Sequence, residues 1–143
     1  MSAPESNADR LRGLWEAFDN EGPEATARLL DTVYHPDVEF NPLPAGAAGG
    51  GIYRGLEGVV AFFGELTESY SDVHYEPPQF HPVGADLVVV LTRLVGVARD
   101  SGLPMHQDLS LVYEFEAGLA HRVTAYGTPA EALEAAERGH ADA

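Results

Sequence analysis

The sequence contains no cysteine and no lysine. The first absence removes disulfides, thiolate nucleophiles and cysteine metal sites. The second makes all 8 basic residues arginine. It removes Schiff-base chemistry, a lysine general base and the phosphate-loop lysine together. Positive charge is scarce as well: 8 arginines face 23 acidic residues, for a formal net charge of −15. A field of that sign repels phosphate backbones and anionic lipid surfaces, so neither a nucleic acid nor a membrane is an expected partner. Long apolar runs are also missing. The longest, Leu87 to Leu91, is far too short to span a bilayer. The stretch from Met1 to Arg12 is polar and lacks the apolar segment of a secretory signal. A soluble, cytoplasmic protein is the expectation. The six histidines (35, 74, 81, 106, 121 and 140) show no HxH, HxxxH or HExxH spacing. No metal site is expected, and no cofactor.

What is present is ordinary globular material. The 143 residues are 45% hydrophobic and 22% charged, which suits one domain over 1–143 with an ordered core at about 8–138. Leu11, Leu14, Trp15 and Phe18 have helical spacing and predict a first helix ending at Asn20–Gly22. Pro23 suits the first turn of a second helix carrying Ala27, Leu30 and Val33, which His35-Pro36 ends. Val38 to Leu43 reads as a strand. Residues 44–55 read as a loop whose Gly46 and Gly49–Gly51 suit a mobile flap rather than a phosphate cradle. Leu56 to Tyr70 predicts a third helix. Four strands follow: Val73 to Pro82, interrupted by Pro77-Pro78, then Leu87 to Ala98, Met105 to Phe115 and Leu119 to Gly127. Pro129 opens a last helix to about Arg138, with Gly139 as its cap. Helices followed by a run of strands make an α+β class.

Three segments carry a family resemblance: His35-Pro36-Asp37-Val38-Glu39-Phe40-Asn41-Pro42; Tyr53-Arg54-Gly55-Leu56-Glu57-Gly58-Val59-Val60-Ala61-Phe62-Phe63; and Tyr113-Glu114-Phe115-Glu116-Ala117-Gly118 with Ala125-Tyr126 and Glu131 to Ala136. Over residues 10–137 the chain resembles the nuclear transport factor 2-like superfamily, and within it the SnoaL-like group. The resemblance implies a cone-shaped α+β barrel. Three N-terminal helices pack there on a curved, mostly antiparallel sheet that encloses an apolar pocket. It also implies a homodimer through the outer sheet face. Isomerases, cyclases, epoxide hydrolases, dehydratases and non-catalytic binders share the fold, so function rests on the site. The catalytic positions of relatives are mostly altered here. At the ketosteroid isomerase base stands Asn41, which as an amide takes no proton. At the oxyanion-hole acid stands Leu111, and near the helix tyrosine stand Leu14 and Trp15. Of the epoxide-hydrolase set, Asn41 and Arg93 match, whereas Val95, Ala125 and Glu39 replace the other three. For the aspartate of a SnoaL-type cyclase, Asp108 is the nearest match, on the face opposite Leu109 and Leu111.

Strand parity then selects a cavity face. With Asn41 inward, Glu39 is inward. With Leu109 and Leu111 inward, Tyr113 is too. Val89, Leu91, Arg93 and Val95 share one face, as do Val123, Ala125 and His121. The candidate catalytic residues are therefore Asn41, Glu39, Arg93 and His121. Trp15, Phe18, Tyr53, Phe63, Leu91, Val95, Leu111, Tyr113 and Val123 are the candidate substrate-binding residues. Bland readings stand beside these. Glu39 and Arg93 also suit a structural ion pair, Asn41 a strand-end hydrogen bonder, His121 an exposed turn neighbour and Trp15 a core residue. The expected function is a cofactor-independent cyclase or isomerase of polyketide-type natural products, acting on an apolar small molecule by folding it and polarising a carbonyl. A ligand carrier of the same fold and an epoxide hydrolase with a rearranged site are the alternatives.

Overall fold

A computed structural model describes residues 7–21, 29–42 and 52–141. The elements run α1 (Asn7–Glu21), α2 (Leu30–Val33), β1 (Tyr34–Asn41), β2 (Tyr53–Arg54), α3 (Gly55–Ser69), β3 (Tyr70–Tyr75), β4 (Gln79–Val83), β5 (Leu87–Ala98), β6 (Pro104–Glu116), β7 (Leu119–Tyr126) and α4 (Pro129–Ala141). The sheet order is β2-β1-β7-β6-β5-β3, with β4 pairing β5 beside β3. Only the β1–β7 pairing is parallel; the others are antiparallel. The sheet curls into a half-barrel with the four helices packed on it.

The helices form where apolar spacing gives them a face to bury. Leu11, Leu14 and Phe18 of α1 and Val59, Phe62 and Leu66 of α3 are buried. All but Phe18, which meets Phe63 and Tyr75, pack on the inner sheet face around Val38, Phe40, Val88, Val90, Leu111, Tyr113 and Val123. A second, smaller core lies on the outer face. There Ala132 and Ala136 of α4 cover Leu87, Val89 and Val112. The long β5–β6 hairpin, paired from Leu87↔Glu114 to Val97↔Pro104, is thus buried on both sides at one end.

Several boundaries differ from the sequence reading. The count of three N-terminal helices is inexact. Of the second, only Leu30–Val33 is helical among the described residues, and its start at Pro23 lies outside them, as do the glycines of the flap at 44–51. The strand read as Val73 to Pro82 is two strands, β3 and β4. Pro77-Pro78 separates them, because proline has no N–H for the ladder. The helix α4 runs through Gly139 to Ala141 instead of stopping there. Strand β7 also holds a bulge: Glu114 pairs with Arg122 but Phe115 with Ala120, so His121 is the extra residue.

Candidate functional site

The strand β1 alternates from Val38 to Asn41, past a register shift that separates these residues from Tyr34. Tyr34, Val38 and Phe40 are buried on the inner face, while Glu39 and Asn41 point the other way. The apolar members of the alternation take the core, as half-buried strands do. This reverses the sequence assignment of Glu39 and Asn41. On β5 the register settles parity. Val88 pairs with Tyr113, Val90 with Leu111 and Thr92 with Leu109. The even residues of β5 therefore share the inner face with the odd residues of β6. Arg93, Leu91 and Val95 fall on the outer face, again against the sequence assignment. The bulge at His121 lets Ala120 join Val123 and Ala125 in the inner core and leaves His121 beyond it.

The four candidate catalytic residues are therefore not brought together. Glu39 accepts from Arg54 at 3.1 Å and Arg122 at 3.2 Å. Those bonds, Arg54 first, hold its carboxyl below the usual range. Asn41 donates to the Val123 carbonyl at 3.4 Å. Arg93 donates to Asp108 at 2.7 Å and lies 3.9 Å from Glu76. The Asp108 bond raises the Arg93 pKa. His121 lies 3.7 Å from Glu116. Asn41 and Arg93, the two positions matching the epoxide-hydrolase set, thus stand on β1 and β5, which β7 and β6 separate in the sheet.

Among the candidate binding residues, Trp15, Phe18, Phe63, Leu111 and Tyr113 line one cavity. Leu91 instead packs toward α4. Val95 sits in register between His74 and His106. Tyr53 stacks edge-on against Phe62, and its hydroxyl donates to Glu65 at 2.6 Å. Val123 is buried in the core without lining the cavity. The sequence reading missed Tyr34, Phe40 and Tyr75 as lining residues. The alternation of β1 carries the signal for the first two. The spacing of Val73 and Tyr75 before the proline pair carries it for the third.

The cavity lies between α1, α3 and the inner sheet face. Its other lining residues are Leu14, Leu30, Pro42 and Leu109. It holds about 430 Å³ of space free of atoms, part of it open to solvent. Aromatic rings make it narrow. Trp15 meets Tyr75 edge-on at 4.5 Å, and Phe18 lies 5.2 Å from both Phe63 and Tyr75. Such edge contacts are favourable beyond the area they bury.

Polarity in this cavity comes from three phenols and one indole. The hydroxyls of Tyr34 and Tyr113 are 3.1 Å apart and buried. The Trp15 indole lines the same cavity. Burial pushes the Tyr113 phenol up to about 12, against the opposing pull of the neighbouring Tyr34 hydroxyl and Trp15 indole. Burial also drives Tyr34 and Tyr75 well above the ordinary phenol value, with Tyr113 adding to each. All three are neutral donors at physiological pH. A count of protons follows. Two phenols own two O–H groups, and their mutual bond uses one. An indole N–H accepts nothing, so Trp15 consumes no phenolic proton. One O–H of the pair is therefore left for a guest, whichever way the mutual bond runs. No carboxylate, histidine or arginine lines the cavity among the described residues. Nor do the described residues hold a cluster of three or more His, Asp or Glu able to bind a metal.

Comparison with known proteins agrees with this fold. A structure from Burkholderia thailandensis, an NTF2-like protein, superposes with a TM-score of 0.74 at 20% identity, covering 91% of this chain and 98% of the other. A candidate polyketide cyclase from Xanthomonas campestris pv. campestris superposes with a TM-score of 0.64 at 18% identity, covering 92% and 99%. TerC, co-crystallised with polyporic acid, superposes with a TM-score of 0.68 at 22% identity, covering 92% and 98%. At these identities the likeness establishes the fold. No curated protein matches the sequence. No helix among the described residues is long and apolar enough to cross a membrane. The SnoaL-like domain model matches residues 10–123, most of the chain, and on that match the protein belongs to the SnoaL-like domain family.

Proposed function

We propose that the cavity takes a small, largely apolar molecule carrying a carbonyl, and that the Tyr34–Tyr113 pair donates its spare proton to that oxygen. The proton count carries this reading: a buried donor without a partner is costly, so the pair favours a guest with an acceptor. The rings around it supply apolar contact and few orientations, as in small-molecule sites, and must move apart to admit a guest of this size. The reaction class is cofactor-independent ring closure or isomerisation of a polyketide-type substrate. Holding a flexible chain in the reactive fold can supply roughly 7–11 kcal/mol of a barrier. A donor aimed at the carbonyl adds to that as negative charge develops on oxygen. The candidate polyketide cyclase among the similar structures and the complex of TerC with polyporic acid support the substrate class. One observation favours a second reading, a non-catalytic carrier. Among the described residues no cavity side chain titrates near neutrality to move a proton.

A thermal-shift screen with open and cyclised polyketide-like ketones, followed by product analysis of each hit, tests both readings. Conversion of an open-chain ketone is expected of the enzyme. Stabilisation with unchanged ligand supports the carrier. Failure of every ketone to outperform its oxygen-free analogue overturns the shared site.

The homodimer belongs to the same proposal. Across the outer face, Arg54, Glu39, Arg122 and Glu114 pair in register and alternate in sign. A two-fold axis along the strands, between Glu39 and Arg122, sets each arginine of one copy against a glutamate of the other. Sedimentation in low salt should show a dimer that high salt dissociates; a monomer at both overturns it.

A further inference from the structure

We infer that the second half of α1 is the door of the cavity and swings about Gly13 to admit a guest. The inference rests on the ligand reading above. Leu14, Trp15 and Phe18, which line the cavity, all follow Gly13 on this helix. Their rings narrow it. Trp15 meets Tyr75 at 4.5 Å, and Phe18 meets Phe63 and Tyr75 at 5.2 Å. A guest enters when these pairs part. Gly13 stands at the start of this segment without a packing reason. It lies in the helix interior, where glycine lowers helix stability relative to alanine. Its φ is negative, as in any helical residue. A Cβ there would meet nothing within 4 Å. Neither backbone conformation nor crowding calls for glycine. What glycine adds at this position is freedom to bend, the property of a hinge.

The two halves of α1 are held in different ways. Before Gly13 the ties are polar. The Arg10 guanidinium donates to the Thr32 carbonyl at 3.0 Å and to the Gly118 carbonyl. Asn7 donates to the Ala85 carbonyl at 3.0 Å, and Arg12 lies 4.9 Å over the Phe80 ring. The first half is thus pinned to α2, to the β6–β7 and β4–β5 turns and to β4. After Gly13 the helix is held by apolar side chains and rings, with Leu14 and Phe18 buried. Apolar burial is non-directional, so this half can shift on its support while the first half stays fixed. Helix α3 makes the contrast. Gly64 follows the lining residue Phe63, and a Cβ there would also meet nothing within 4 Å. Yet α3 is anchored on both sides of it. Before it, the backbone presses on Tyr53, where a Cβ at Gly58 would sit 3.0 Å from the carbonyl carbon. After it, Glu65 accepts from the Tyr53 hydroxyl at 2.6 Å, and the Thr67 carbonyl accepts from Arg99 at 2.9 Å. Gly64 therefore has no loosely held segment to swing.

The test compares the unaltered full chain with Gly13→Ala and Gly64→Ala. Each change adds one methyl group to open space, so both variants should fold. Amide hydrogen exchange without ligand reads the swing. A bend at Gly13 breaks the helix bonds that cross it, from the amides of residues 14–17 to the carbonyls of residues 10–13. In the unaltered protein the amides of residues 15–17 should exchange faster than those of Val88 to Val90 in β5. In Gly13→Ala they should exchange roughly fivefold more slowly, the factor that corresponds to alanine's helix preference over glycine. Binding kinetics read the door. The probes are acetonaphthone and ethylnaphthalene, a ketone and its oxygen-free analogue. In Gly13→Ala both should bind and leave roughly fivefold more slowly with little change in Kd, because a rarer opening slows both directions alike. Gly64→Ala should leave the exchange of residues 15–17 and both rates unchanged. Amides at 15–17 that exchange no faster than those of β5, or binding rates unmoved in Gly13→Ala, overturn the inference. Equal slowing in Gly64→Ala also overturns it, since it marks a stiffer fold rather than a hinge. If exchange follows the expected pattern but neither probe binds the unaltered protein, the ligand reading fails and the swing stands.

Discussion

Removing the two phenolic oxygens of Tyr34 and Tyr113 singly should give similar losses of stability. Either change deletes the one bond between the buried hydroxyls, which lie 3.1 Å apart. A neutral hydrogen bond is worth about 1 kcal/mol. Denaturant unfolding should therefore place each single variant about 1 kcal/mol below the unaltered protein. Ligand preference should behave differently. Each single variant retains one phenol with a proton to give, so each should still favour acetonaphthone over ethylnaphthalene. The double variant has none, and the preference should fall by about 1 kcal/mol, roughly fivefold. A single variant as stable as the unaltered protein would refute the bond between the hydroxyls. An intact ketone preference in the double variant would refute the donor role.

Stability should be level across neutral pH and fall above pH 10. The phenols are held above their unfolded value, so the folded state keeps protons that the unfolded chain releases, and stability drops as pH climbs toward the Tyr113 value of about 12, by roughly 1.4 kcal/mol per unit for that group. On the acid side the sign reverses for Glu39: its lowered carboxyl contributes stability that fades as pH falls through its folded pKa, measurable as a loss absent from Glu39→Gln. Arg93→Ala should leave ligand affinity unchanged and shift stability by less than about 1 kcal/mol, because its partners Asp108 and Glu76 form exposed pairs on the outer face. Ala117→Gly should stabilise the chain by about 0.5–1 kcal/mol in chemical denaturation, since alanine holds φ at 52° there. Loss of stability would show that the turn gains nothing from glycine.

The element order was legible because each element has a strong local pattern. The α1 and α3 stripes, the turns at 84–86 and 116–118 and the β6 alternation all read directly. Strand β6 was the most informative: Leu109, Leu111, Tyr113 and Phe115 are all buried on the inner face. The site was harder because two strands defeat parity reading. Strand β5 is apolar on both sides, since α4 covers one and the main core the other, so its pattern alone cannot say which face holds Arg93. Strand β1 does alternate, and Val38 and Phe40 mark its inner side. Fixing Asn41 inward by likeness to relatives overrode that evidence and carried Glu39 with it. His121 was lost to a bulge, which adds one residue and leaves no mark in the sequence. Tyr34 and Tyr75 come from elements far apart in the chain, and only the fold brings them beside Tyr113 and Trp15.

The central claim is that the Tyr34–Tyr113 pair gives a proton to a guest carbonyl. Infrared difference spectroscopy of bound acetonaphthone tests it directly, because a hydrogen bond lowers the carbonyl stretching frequency. The account predicts a frequency in the wild-type cavity well below that in hexane, and a return to the hexane value in the Tyr34→Phe/Tyr113→Phe double variant. The same frequency in both proteins would contradict it.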